Sequence, residues 1–146
     1  MTSPTPKLLV AIDTNVIVAA SRSRWGASYA LINSIPSQKF RVALSTSLYM
    51  EWRAHLSRPE NLSGRSAEDA LAFLRFLANQ AHLQEIHFLL RPFLPDPKDD
   101  LVLELAFAAR CRYILTYNLK DFARVEQFGV SVMTPQDFLD LMRDNA

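Results

Sequence analysis

Apolar residues along the chain fall into two kinds of block, which predict strands and helices in alternation. Residues 7–13 and 40–46 are almost continuously apolar, as expected of strands that a sheet buries on both faces. Shorter runs predict two more strands, at 112–118 and 130–134. Residues 85–97 contain three prolines and indicate a short strand followed by a loop.

Between these runs, apolar residues recur at the spacing that places them on one face of a helix. Helices are predicted at 14–23, 26–35, 47–58, 66–81, 99–111 and 135–146, with a short helix or turn at 119–129. This alternation predicts an α/β domain in which helices flank both faces of a parallel sheet of about four to five strands. We expect a single domain over residues 1–146, with residues 1–7 as a flexible N-terminus.

The composition, with 49% hydrophobic and 21% charged residues, is that of a compact globular protein. The formal net charge of +1 indicates neither a strongly basic surface nor an acidic tail. Twelve of the 16 basic residues are arginines, which suit phosphate, but their scatter along the chain indicates an ordinary solvated surface. Cys111 is the single cysteine, which excludes an internal disulfide and a cysteine-based zinc site, and we expect its thiol to be buried and inert.

The first residues lack the features of a signal peptide, and no apolar run approaches the length needed to span a membrane. We therefore expect a cytoplasmic protein without a membrane partner.

Acidic residues stand near the ends of three predicted strands and at the start of one helix. Asp13 ends the first strand, Glu51 follows the second, and Asp121 comes three residues after Asn118 at the end of the third. A further group, Asp96, Asp99 and Asp100, surrounds the start of the helix that leads into the third strand. Because the carboxyl ends of parallel strands meet at one edge of the sheet, we expect these acids to converge there.

Each acid also has a structural explanation. Asp13 suits a helix N-cap, and the pairs Asn118 with Asp121 and Asp96 with Asp99 have the spacing of capping boxes, which is the favoured interpretation of either pair taken alone. Glu51 has no such explanation, because a capping box that began at Ser47 would need its acid at position 50. His55, four residues after Glu51, is expected on a solvated helix face, with a supporting role in the cleft as the alternative.

Several carboxylates in one cleft repel each other, so some of them must hold a proton or share a cation. Mg²⁺ and Mn²⁺ prefer oxygen ligands and need few of them from the protein. Acids without histidine or cysteine ligands therefore favour a magnesium or manganese site and phosphate chemistry over zinc hydrolysis.

Four stretches, in order, resemble the motifs of the PIN domain family, close to its VapC-type ribonuclease toxins. They are "AIDTNVIV", "SLYMEW", "DPKDDLVLELA" and "ILTYNLKDF", and the resemblance extends from Leu8 to about Leu141. An alanine seven residues after the acid in the third motif selects Asp99 over Asp100. Some relatives carry an acid where this chain has Asn118.

The resemblance implies a Mg²⁺- or Mn²⁺-dependent endoribonuclease with Asp13, Glu51, Asp99 and Asp121 as catalytic metal-binding residues. Asp13 and Asp99 would hold the metal most directly. Thr14, Asn15, Thr116 and Asn118 would support them.

The implied partners are an RNA substrate, a cognate antitoxin protein and a second copy of the chain. Trp25, Met50 and Trp52 are candidate interface residues, with burial of both tryptophans in the core as the alternative. The alternatives for function are a catalytically silent PIN-like scaffold and, less favoured, a phosphatase-type phosphotransferase. The phosphatase would need a second acid where Asn15 stands.

Overall fold

Within the part of the chain that the structure describes, five parallel strands form one sheet, in agreement with the α/β fold that the sequence predicts. The computed structural model describes residues 7–88, 90 and 93–144. The strands are β1 (Leu8–Ile12), β2 (Phe40–Leu44), β3 (His82–Leu83), β4 (Tyr113–Leu115) and β5 (Ser131–Met133). Their order across the sheet is β3-β2-β1-β4-β5, and each neighbouring pair is parallel.

Among the described residues, six α-helices cover the two faces of the sheet. They are α1 (Thr14–Arg22), α2 (Ala27–Asn33), α3 (Thr46–Leu56), α4 (Ala67–Gln80), α5 (Pro97–Ala108) and α6 (Pro135–Asp144). Short 3-10 turns follow α3 and β4. Ser66 caps α4 and Pro135 opens α6, as their positions in the sequence predict. None of the helices in the described ranges combines the length and apolar character that crossing a bilayer requires.

The strand expected within residues 85–97 lies earlier, as the two-residue β3 directly after α4. There it pairs with the end of β2, and the amide of Gln84 donates to the carbonyl of Leu44 at 2.8 Å. β2 ends at Leu44, so the chain beyond Gln84 has no residue of β2 left to pair with. Part of that prediction, like those for the N-terminus and the last two residues of α6, concerns residues outside the described ranges.

The path of the chain reverses between β1 and β4. From β1 it moves outward through β2 to β3, then crosses back to β4 and continues to β5 on the other side. α5 makes this return crossing and packs on β1, β2 and β4. A reversal of this kind leaves a crevice at the carboxyl ends of the two central strands, which is where ligands bind in open α/β sheets.

The buried interior explains two of the side chains that the sequence singles out. Cys111 is buried, and burial raises the pKa of its thiol to about 12, so the thiol is inert as expected. Trp52 is 1% exposed and belongs to the core, whereas Trp25 is 97% exposed. Burial in the core is therefore correct for Trp52 and wrong for Trp25, which stays a candidate interface residue. Met50 is half-exposed.

α5 is tied to the loop before it through two buried acids. Both oxygens of Asp100 accept backbone hydrogen bonds, from the amides of Leu94 at 3.0 Å and Phe93 at 3.3 Å. One turn later, Glu104 accepts from the amide of Leu90 at 2.7 Å. The buried carboxylates satisfy loop amides that no strand or helix would pair, so they fix the loop against the helix.

We expect Asp100→Ala to lower the free energy of unfolding by about 2 kcal/mol or more, because it leaves buried amides without an acceptor. Asp137→Ala is the matched control, since Asp137 is also an acid in the first turn of a helix but is exposed. Its loss should stay below about 1 kcal/mol. Urea unfolding of both variants tests this, and equal losses would contradict an anchoring role for Asp100.

Candidate metal and catalytic site

Asp13 is held at the carboxyl end of β1 by hydrogen bonds to two segments. Its backbone amide donates to the carbonyl of Leu115 at 2.9 Å, which continues the pairing of β1 with β4. One side-chain oxygen accepts from the amide of Thr14 at 2.7 Å and the other from the hydroxyl of Thr116 at 2.8 Å. Asp13 is therefore the N-cap of α1, and it is also bonded across to β4.

Thr116 connects all the polar groups at the ends of β1 and β4. Its hydroxyl donates to Asp13 and accepts from the amide of Asn118 at 3.0 Å and from the side chain of Asn15 at 3.3 Å. A hydroxyl offers one hydrogen and two lone pairs, so these three bonds use its full capacity. The side-chain oxygen of Asn15 in turn accepts from the amide of Tyr117 at 3.4 Å. The residues predicted to support the site thus form one network.

Asp99 differs from its neighbours on α5 in having a buried oxygen without a partner. It is 6% exposed, and its Oδ2 atom makes no hydrogen bond within the described residues. Asp100 is committed to the loop, and Asp96 caps the helix by accepting from the amide of Lys98 at 2.9 Å. The side chain of Asp96 accepts from the amide of Lys98, and the amide of Asp99 donates to the backbone carbonyl of Asp96. These two acids therefore do not form the capping box that their spacing suggests.

The charges around Asp99 make its ionised form unfavourable. The pKa of Asp99 is raised from 3.8 to about 7, first by burial and then by the neighbouring carboxylates of Asp13, Asp96, Asp121 and Asp100. Burial also raises the pKa of Asp13, against the hydrogen bonds from Thr116 and Thr14, with contributions from Asp96 and Asp121. The acids of β1, α5 and the segment after β4 therefore share one electrostatic field.

Asp121 enters this field from the 3-10 turn that follows β4. The capping-box interpretation of Asn118 with Asp121 is wrong, because the side chain of Asn118 makes no capping hydrogen bond. The backbone of Asn118 instead supports Thr116, and the half-buried carboxylate of Asp121 acts on Asp13 and Asp99 through its charge.

Glu51 lies on α3 and faces cationic or polar partners. Its Oε1 atom is 3.2 Å from Nδ1 of His55 and 4.0 Å from Nζ of Lys98. The expectation of a solvated face for His55 is wrong, since its side chain is only 19% exposed and rests against Glu51. Lys98 connects Glu51 to the start of α5. The sequence analysis did not identify Lys98 as a residue of the site. Its position between Asp96 and Asp99 was the feature of the sequence that could have indicated it.

Within the described ranges, no three acidic, histidine or cysteine side chains converge closely enough to enclose a metal ion by themselves. Mg²⁺ retains several waters and needs one or two carboxylates, so Asp13 and Asp99 are a sufficient protein contribution. The buried oxygen of Asp99 without a partner and its raised pKa are what a carboxylate shows where a cation would balance it. The residues therefore fit a hard divalent ion.

The sequence model of the PIN domain matches residues 9–120, which is well over half of the chain. The chain belongs to the PIN domain family. This PIN domain has no match in sequence among curated proteins. Its fold is similar to chains in two solved structures, each 15% identical to it.

One is VapBC2 from Rickettsia felis bound to a DNA fragment from their promoter, with a TM-score of 0.61 over 86% of this chain and 97% of that one. The other is VapBC-1 from nontypeable Haemophilus influenzae, with a TM-score of 0.60 over 88% of this chain and 99% of that one. At this identity, the likeness establishes the fold that the PIN domain shares with them.

We expect the metal-free PIN domain to lose stability as pH rises from about 4 to about 7, because folding raises the pKa of Asp99 across that range. The folded state keeps a proton that the unfolded chain releases, so this contribution is full at low pH and absent above pH 7. Asp99→Asn should reduce the dependence and leave the part that comes from the raised pKa of Asp13, whereas Asp137→Asn, which changes an exposed acid of α6, should keep it in full. Unfolding free energies with chelator between pH 4 and 8 measure this, and identical slopes for wild type and Asp99→Asn would contradict it.

Metal should reverse the order of stability at neutral pH. Without metal, Asp99→Asn should melt at or above the wild-type temperature, because the change removes one charge from a repelling group. A ligand at about 100 times its dissociation constant stabilises the native state by about 2.7 kcal/mol, and the variant should lose most of that gain. Thermal melts in chelator and in Mn²⁺ give both values. A variant that melts far below wild type in chelator would make Asp99 a structural residue.

Thr116→Val should weaken metal binding about 10- to 100-fold without removing any ligand, because Asp13 loses the hydroxyl that orients it. Thr116→Ser retains the hydroxyl and is the matched control. Calorimetric titration with Mn²⁺ measures the affinities, and circular dichroism checks that both variants fold. Equal affinities for the two variants would remove Thr116 from the site.

Proposed function

We propose that this PIN domain is a divalent-metal-dependent endoribonuclease and the toxin of a toxin–antitoxin pair, acting on RNA in the cytoplasm. The observation that carries the proposal is the buried Asp99 oxygen without a partner, which lies in the field of Asp13 and Asp121. A bound cation would stabilise the ionised form of such a buried carboxylate. Asp99 also lies on α5, the helix that crosses back to β4 where the sheet forms its crevice. Membership of the PIN domain family and the likeness to VapBC chains support the same reading.

Asp13 and Asp99 are the proposed direct ligands of Mg²⁺ or Mn²⁺, with Glu51 and Asp121 completing the acidic cluster through metal or water. Bound there, the ion supplies a water of lowered pKa and positive charge for the negative charge that develops on the phosphate. The protein orients the carboxylate that would bind the ion. Thr116 and the amide of Thr14 hold both oxygens of Asp13 in place.

The hydrogen bonds of Asn15 argue against the phosphatase alternative. Such an enzyme needs a general acid two residues after the first aspartate, and both ends of the Asn15 amide are occupied by Thr116 and the backbone of Tyr117. Asn15 therefore connects the first turn of α1 to the segment after β4. The remaining alternative is a catalytically silent scaffold with this fold, and an RNA cleavage assay distinguishes it from a nuclease.

We expect single-stranded and loop RNA to be cleaved with Mg²⁺ or Mn²⁺ and left intact with chelator. Asp13→Asn and Asp99→Asn should each lower the rate by about 100-fold or more, as removal of a group that acts in the transition state does. Asp137→Asn, an exposed acid of α6, is the matched control and should cleave like wild type. Equal cleavage with metal and with chelator would overturn the metal mechanism, and no cleavage under either condition would favour the scaffold.

An antitoxin partner and self-association are proposed on the exposed aromatic surface of α2 and the turn before it. Trp25, in the turn before α2, is 97% exposed. A groove of about 290 Å³ is lined by Tyr29 and Ile32 of α2 and by Phe73 and Phe76 of α4. Exposed aromatic residues are enriched in the cores of protein interfaces. A toxic nuclease also requires an inhibitor in the cell that makes it.

We expect the chain to co-purify with the product of the adjacent gene and to have at least the mass of a dimer by light scattering. Trp25→Ser should weaken the complex about 10-fold or more, as loss of a tryptophan from an interface does. Its melting temperature should equal that of wild type, because the side chain makes few contacts within the fold. A monomer that recovers no partner would count against both associations.

A further inference from the structure

A cavity of about 530 Å³ runs along α1. Thr14 and Asn15, the two residues that follow Asp13, line it at the start of the helix. Arg22 from the end of α1 and Arg58 from the turn after α3 line it as well. None of the four proposed metal ligands lines the cavity, but it begins at the two residues next to Asp13 and contains two cationic side chains from different segments.

Neither guanidinium is neutralised by a carboxylate of the described residues. Arg22 donates to the backbone carbonyl of Glu60 at 3.4 Å, and Arg58 makes neither an ion pair nor a side-chain hydrogen bond within those residues. The carboxylate of Glu60 also lines the cavity but pairs with neither arginine. Two guanidinium groups thus keep most of their donors available at one opening.

The walls suit an anion better than an apolar ligand. Apart from Val18 and Ala19, the residues that line the cavity are polar or charged, and none is a large exposed apolar side chain of the kind that anchors protein interfaces. Guanidinium forks match phosphate oxygens in pairs, which is the geometry that a nucleic-acid backbone presents.

We propose that Arg22 and Arg58 form a subsite for one backbone phosphate of the RNA, next to the phosphate that is cleaved. The inference rests on the proposed ribonuclease activity and adds the direction in which the strand leaves the metal site, past Thr14 and Asn15 and over the end of α1. His55 lines the same cavity from α3, but the subsite depends on the two arginines and not on its protonation. An acidic segment of a protein partner is the competing occupant.

The test compares the double variant Arg22→Gln/Arg58→Gln with Arg75→Gln/Arg112→Gln. The control removes the same charge from α4 and from the amino end of β4, and thermal melts check that both variants fold. Binding of a fluorescein-labelled 12-nucleotide single-stranded RNA is followed by anisotropy in Mg²⁺, in an Asp99→Asn background that prevents cleavage. The subsite variant should bind about 10-fold or more weakly than the control, since hydrogen bonds to charged groups are lost.

Salt dependence identifies the contact as one to phosphate. Loss of one phosphate contact should reduce the slope of log affinity against log salt by about 0.7. In parallel, one methylphosphonate is placed at each position of the RNA in turn. The Asp99→Asn protein with both arginines should show a penalty at one phosphate beside the scissile bond, and the same protein with the subsite substitutions should no longer show it.

In the cleaving background, the subsite variant should raise KM about 10-fold and change kcat by less than about 3-fold, as loss of binding common to ground and transition states does. RNA binding, salt slope and KM equal to those of the control would overturn the subsite and leave metal-dependent cleavage intact. Loss of octaglutamate binding with unchanged RNA binding would assign the cavity to an acidic protein segment instead. If wild type does not cleave RNA at all, the proposed function fails, whereas the binding measurements still decide whether the arginines hold phosphate.

Discussion

The hydrogen bond from the Thr116 hydroxyl to Asp13 joins the two central strands at the point where the chain reverses. It fixes a carboxylate at the end of β1 in an orientation that β1 alone would not impose. The same hydroxyl accepts from Asn15 and from the amide of Asn118, so the first turn of α1 and the segment after β4 are held by one atom. Burying a carboxylate raises its free energy unless it is balanced, and the arrangement around it follows from that constraint.

On α5, the adjacent acids Asp99 and Asp100 have different roles. Successive residues of a helix point about 100° apart, so Asp99 and Asp100 face different surroundings. Asp100 accepts hydrogen bonds from amides of the preceding loop. The buried Oδ2 atom of Asp99, in contrast, has no hydrogen-bond partner within the described residues. The structural acid anchors the helix that carries the acid of the site. Stability and chemistry are therefore divided between neighbours in the sequence.

The distribution of charge matters more here than its sum. A formal net charge of +1 suggests no preference for nucleic acid, and the arginines are scattered along the chain. Folding places five acids in one field around Asp99 and two arginines at the cavity along α1. An anion that would be repelled by the acids alone meets opposite charge within a short distance, and a bound divalent ion would balance the acids themselves.

The sequence by itself determined the strand and helix pattern, the parallel sheet, the capped start of α4 and the convergence of Asp13, Asp99 and Asp121, though not of Glu51, in one field. These depend on local periodicity and on the rule that parallel strands end at a common edge. Only the tertiary structure decided that the charge of Asp96 acts on Asp99 and that His55 lies against Glu51 rather than in solvent. It also decided that Arg22 and Arg58 line the same cavity. The position of β3 was also decided there, by pairing with β2. The reason is physical: a pattern in sequence reports which face of its own element a residue occupies, whereas the neighbours of that face come from segments that only the folded topology brings near.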